Sequence, residues 1–218
     1  MNDAPLPCPR CTKPLPLCVC DRAEPVQTAL RIVILQHPQE NDHVLGTAPL
    51  VRVALPNSQL QVGLSWPSLA AALGNEKAQR ERWAVLAGAK PPKPLTAELE
   101  QRPVVLLDPK GKSLPLQRHG LQGLIVLDGS WSQAKTLWWR NPWLLKLPRL
   151  LVQPREPSMY GRLRRAPRRE WVSTLEAVAE VLPALGEPAA ARDNPRRLLR
   201  TLLQRARDHK AEGPAIDA

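Results

Sequence analysis

The chain has 218 residues, a hydrophobic fraction of 43% and a formal net charge of +11. That length predicts one main folded domain with at most a small appendage. The charge asks for a polyanionic partner, with nucleic acid foremost, and no apolar run approaches the roughly 20 residues of a membrane span.

All four cysteines fall within the first twenty residues, as Cys8-x2-Cys11-x6-Cys18-x-Cys20. The starting Met-Asn-Asp-Ala-Pro-Leu-Pro lacks a basic, apolar secretory signal, so a cytoplasmic location is expected. Structural disulfides are unusual there, and four clustered thiols opening on a C-x-x-C knuckle suit a tetrahedral structural zinc site. Residues 1–25 are read as this module, with all four ligand positions filled by protein and none left open for catalysis.

The body follows. Ala29–Leu35 is a buried strand ending in the polar turn Gln36-His37-Pro38-Gln39-Glu40, and Asp42–Leu55 is read as helical. Gln59–Leu64 reads as a strand, Ser68–Leu73 as a short helix, and Arg82–Ala87 as a strand or short buried helix. Pro103–Leu107 and Gly123–Leu127 are apolar strands, ending in Asp108-Pro109 and Asp128-Gly129. Ser132–Trp139 has helical spacing up to Asn141-Pro142, Arg149–Val152 is a strand, and Thr174–Leu185 and Pro195–Lys210 are helices. The alternation predicts an α/β domain over residues 26–186 around a mostly parallel sheet, followed by a basic C-terminal helix and tail over 187–218.

Ligands of such sheets collect beyond the carboxyl ends of the strands. Three segments offer polar groups there: His37 to Glu40, Asp108 to Lys112, and Asp128 to Gln133. Ser130-x-x-Gln133 and Ser173-x-x-Glu176 both match the capping box, which explains those residues without any function. It does not explain Trp131, or a carboxylate at the strand terminus. The loop 158–169, with Tyr160, Arg162, Arg164 and Arg165, suits phosphate contacts as well as a solvated surface. No G-x-G-x-x-G, Walker loop or H-E-x-x-H is present, and His43, His119 and His209 are read as isolated surface residues.

Taken in order, the cysteine pattern, Gln36-His37-Pro38-x-Glu40, Asp128-Gly129-Ser130-Trp131, the Tyr160/Arg164 loop and Ser173-Thr174-x-Glu176-Ala177 resemble the DTW-domain family. Ser130 stands where the eponymous Asp-Thr-Trp has threonine, keeping the hydroxyl. The resemblance spans about residues 8 to 185. It implies a SPOUT-like α/β fold with a C-terminal trefoil knot that binds S-adenosylmethionine. The implied activity is transfer of the 3-amino-3-carboxypropyl group to N3 of a tRNA uridine, in bacterial members at variable-loop position 47. On that basis Asp128, Ser130 and Trp131 are the expected catalytic residues. Leu107, Pro109, Leu127, Asp128, Gly129, Ser173, Thr174 and Glu176 are expected around the cofactor, although Leu107-Asp108-Pro109-Lys110 departs from the more apolar sequence expected before the proline. His37, Glu40, Tyr160, Arg162, Arg164 and Arg165 are expected to face tRNA. A monomer is expected, since the dimerisation common among SPOUT methyltransferases need not extend to this family. The alternatives are a SPOUT-type RNA methyltransferase and a non-catalytic zinc-containing RNA-binding protein.

Overall fold

The short apolar runs pair side by side. The computed structural model describes residues 7–41, 43–75, 78–86, 94–116, 120–161, 163 and 172–212. Seven strands form one sheet: β1 Arg31–Gln36, β2 Ser58–Val62, β3 Trp83–Leu86, β4 Val104–Leu107, β5 Ser113–Leu114, β6 Gly123–Asp128 and β7 Arg149–Val152, in the order β2-β1-β6-β3-β7-β4-β5. The first five in that order are parallel; β4 runs antiparallel to β7, and β5 to β4.

Burial on both faces explains why the central strands read as continuous apolar runs. On one face, Ile32, Ile34, Ala84, Leu86, Leu124 and Val126 pack with α1 (Ala48–Ala54), α5 (Thr174–Ala184) and α6 (Ala190–Glu212). On the other, Val33, Leu35, Val85, Ile125 and Leu127 pack with α2 (Leu69–Leu73) and α4 (Trp131–Arg140). A smaller apolar group around Val105, Leu107 and Leu151 packs against Leu95 and Leu99, the latter in α3 (Ala97–Glu100). Gly123 admits the Trp83 ring: a Cβ there would lie 2.3 Å from the Arg31 carbonyl oxygen and 2.6 Å from that ring.

Two expected boundaries move, and one strand runs against its neighbours. The helix expected from residue 42 starts at Ala48, where Pro49, lacking an N–H, sits in its first turn. The terminal helix begins at Ala190 instead of Pro195 and takes that proline into its interior, where its missing N–H forfeits one intrahelical bond. β4 forms as a strand, but its direction in the sheet is reversed relative to its parallel neighbours.

The cysteine segment is packed into this body. Leu17 and Val19 are buried in the same core as α1 and α6. Arg205 of α6 makes a two-point contact with Asp21, at 2.9 and 2.7 Å.

Candidate active site and metal centre

Parallel register places the carboxyl ends of β1 and β6 together, with Gln36 opposite Asp128. Both side chains point to the α5 face, by alternation with Ile34 and Val126. Asp128 is only 4% exposed. Its Oδ2 accepts a 2.7 Å hydrogen bond from Gln36 Nε2, and its Oδ1 accepts one from the Thr174 hydroxyl. The His37 N–H donates to the Asp128 carbonyl at 3.0 Å. One carboxylate therefore joins two strands to the start of α5.

The α5 start is built with equal care. Ser173 and Glu176 form the expected capping box. Glu176 is also 4% exposed, and its carboxylate accepts from Ser173 N–H, Met159 N–H and the Ser158 hydroxyl, each at 2.8 Å. Leu175 N–H donates to the Thr47 hydroxyl at 3.3 Å. The Tyr160 hydroxyl donates to the Leu45 carbonyl.

The second box forms too, with Ser130 capping α4 and Gln133 returning to Ser130 N–H at 2.6 Å. Gly129 joins β6 to that box with φ +153°, and a Cβ there would meet Gln133 Cβ at 2.9 Å. Trp131 follows on the first turn of α4, 42% exposed.

The rim thus gathers His37, Glu40, Asp128, Gly129, Ser130, Trp131, Tyr160, Ser173, Thr174 and Glu176. Its members differ in accessibility. His37, Glu40 and Tyr160 are buried, so they shape the rim from within and do not present themselves to a large partner. The Ser173 hydroxyl caps its own helix and that of Thr174 binds Asp128, so neither stands open for a cofactor carboxylate in this conformation. Leu127 is buried on the α4 face.

Leu107 and Pro109 are not brought to this rim. Leu107 pairs with Arg149 at the start of β7, so the antiparallel β4 exits toward the amino ends of the parallel strands, away from Asp128. The strands whose carboxyl ends do lie beside β6 are β1 and, on its other side, β3, where Leu86 pairs with Val126. Arg162, Arg164 and Arg165 lie outside the described residues.

Gln36, Thr47 and Ser158 belong to the rim but were not singled out from sequence. Gln36 had a signal, as a polar residue closing an otherwise apolar strand. Its Oε1 is buried without a hydrogen-bond partner.

At the other centre, the four cysteine Sγ atoms lie within 4.8 Å of one another and could hold a metal ion. Cys8 and Cys20 are 3.8 Å apart, and Cys11 and Cys18 3.7 Å. A tetrahedron with 2.3 Å zinc–sulfur bonds has edges of about 3.8 Å, so the thiol set fits that ion. The Cys11 and Arg10 backbone N–H groups lower the Cys8 pKa to about 6. Burial pushes the Cys18 and Cys20 thiols up, with the neighbouring Cys11 adding to the rise. A cation among them offsets that cost of ionising clustered thiols.

Among the described residues, no helix is long and apolar enough to cross a membrane. A family model described as the DTW domain matches residues 6–207. Similar curated proteins carry the name tRNA-uridine aminocarboxypropyltransferase 2. The Macaca fascicularis protein is 26% identical over 186 residues, covering 82% of this chain and 56% of the relative. The Mus musculus protein is 26% identical over 213 residues, covering 94% and 65%. The Drosophila melanogaster protein is 29% identical over 212 residues, covering 94% and 76%. The chain therefore spans less than two thirds of the length of the first two. No solved structure matches.

Proposed function

Since the chain belongs to the DTW-domain family, we propose that it transfers the 3-amino-3-carboxypropyl group of S-adenosylmethionine to N3 of a uridine in tRNA, at the rim centred on Asp128. The name shared by its relatives supports a tRNA-uridine transferase. The observation that carries the site assignment is the convergence of Asp128, Gln36 and Thr174, three residues far apart in sequence, at the carboxyl ends of β1 and β6.

The donor set suits a cationic co-substrate. The unpartnered Gln36 Oε1 and the Asp128 carboxylate are acceptors on one rim, where a sulfonium or ammonium would be stabilised. Binding supplies an electrophilic carbon next to sulfur; the chain must select Cγ over the methyl by orientation, with N3 held about 3–3.5 Å away and in line. Asp128 accepts the N3 proton, the nitrogen pair forms the bond to Cγ, and the Cγ–S bond breaks with its electrons returning to sulfur. Methylthioadenosine leaves neutral, so no general acid is required. Gln36 and Thr174 each donate to one oxygen of Asp128, which orients the carboxylate. Ser130 and Trp131 border the rim from α4. Zinc held by Cys8, Cys11, Cys18 and Cys20 has a structural role, with no part in the chemistry.

Asp128→Asn tests this reading. The amide oxygen can still accept from Gln36 while its NH2 donates to the Thr174 oxygen, so the fold is retained and proton acceptance is lost. We expect little change in melting and at most a modest loss of cofactor affinity, with product formation down about 10²–10⁴-fold. Full turnover by the variant would remove Asp128 from the reaction. Nucleoside mass spectrometry of the tRNA reads the product directly, and a methyl in place of the heavier amino-acid group would identify a methyltransferase instead.

A further inference from the structure

Three tryptophans lie on α4, and they are not equivalent. Trp138 turns toward the body, partly buried against the core, with the Arg149 guanidinium 4.9 Å from its ring centroid. Trp131 and Trp139 face outward, 42% and 72% exposed. Between them Lys135 is also exposed, so residues 131, 135 and 139 form one i, i+4, i+8 stripe of aromatic, cation and aromatic. The stripe is about 12 Å long and begins three residues after Asp128, at the rim itself.

The charge around it has one sign. From Gly129 to Arg155 the sequence contains no acid, while Lys135, Arg140 and Lys146 are exposed on and just beyond α4. The basic helix α6 offers a contrast, since Arg192, Arg196, Arg197 and Arg205 are held in ion pairs with Glu180, Glu156, Glu24 and Asp21. The stripe is also firmly mounted. Asn141 closes α4 from a fully buried position, its side-chain NH2 donating to Leu137 and Leu64 carbonyls at 2.7 and 3.1 Å and its Oδ1 accepting from Trp66 N–H at 2.7 Å.

Exposed indoles with an interleaved cation, mounted on a stretch of chain without acidic residues, are the chemistry that binds unpaired nucleobases: the rings stack and the cations meet phosphates. We infer that the outer face of α4 is a stacking platform for an unpaired RNA segment, and that Trp139, at the end away from the rim, holds a base a few nucleotides from the one delivered to the rim. This rests on the reading of tRNA as substrate for the location of the target nucleotide, but the stacking itself can be measured without turnover.

The test uses the full chain and a fluorescein-labelled RNA stem-loop, with binding followed by anisotropy. Trp139→Ala should weaken binding roughly ten- to a hundredfold, and Trp139→Phe should recover most of the loss. The salt dependence of binding should be the same in both variants, because the phosphate contacts are untouched. A fully paired duplex should not distinguish wild type from Trp139→Ala. Stem-loop affinity unchanged in Trp139→Ala would overturn the platform, as would a wild-type dimer, seen by sedimentation, that this substitution dissociates while RNA binding is unaffected. If wild type makes no product on tRNA but Trp139→Ala still loses stem-loop affinity, the platform stands and the proposed reaction falls.

Discussion

Replacing Glu176 with glutamine keeps the shape of a buried side chain and removes only its charge and one acceptor. In the native structure one carboxylate satisfies three donors, two of them backbone N–H groups that cannot rotate away. The amide has one oxygen. Placed at the Oε2 position, that oxygen keeps Ser158 and Ser173 but turns the NH2 toward Met159 N–H; placed the other way, it keeps Met159 alone. The first arrangement is better, and it still loses one charge-assisted bond and weakens two. Net values of 1.5–3 kcal/mol for a hydrogen bond to a charged group put the cost at about 2–3 kcal/mol. For a domain of this size that lowers the midpoint of thermal unfolding by roughly 5–10 °C. Urea denaturation monitored by tryptophan fluorescence gives the free energy independently. A loss below about 0.5 kcal/mol would refute the reasoning, because it would mean that the three donors find other partners at no cost and that Glu176 does not hold the Ser158–Tyr160 loop to α5.

The other expectations concern the metal centre and the β6–α4 turn. Wild-type protein should hold one zinc per chain by elemental analysis, and Cys11→Ser should lose most of it while lowering thermal stability, since Leu17 and Val19 lose their mounting; a variant retaining full metal and stability would argue against a four-thiolate site. Gly129→Ala meets both an unfavourable positive φ and a 2.9 Å contact with Gln133 Cβ, so we expect a loss of about 1–3 kcal/mol and disruption of the Ser130 cap. Wild-type stability in that variant would show that the turn relaxes freely.

Much of the rim was legible because its residues obey local rules. Asp128 closes an apolar strand, and both capping boxes are spaced patterns whose geometry follows from the first helical turn. β7 was read to its bounds for the same reason, a compact apolar run between prolines. Strand direction was not legible. Val104–Leu107 has the same four apolar residues whichever way it enters the sheet, and its antiparallel pairing decides that Leu107 and Pro109 emerge away from Asp128. The two-residue β5 and the four-residue α3 each cover about one period, too little for a repeat to be recognised. The partners of Asp128 and Glu176 were hidden for another reason: Gln36, Thr174 and Ser158 reach them across the fold, and sequence spacing carries no information about such approaches.

Lys13 gives the N-terminal segment a reach beyond its thiols. It is 2% exposed; its carbonyl accepts from Cys8 N–H at 2.8 Å and its ammonium donates to the His43 carbonyl at 3.3 Å. Two residues further on, Leu45 receives the Tyr160 hydroxyl. A chain trimmed of its first 25 residues would therefore lose a strut under the loop that follows Glu40 and uncover an apolar flank of α6, so an attempt to shorten this protein to a minimal folded body should begin before Cys8.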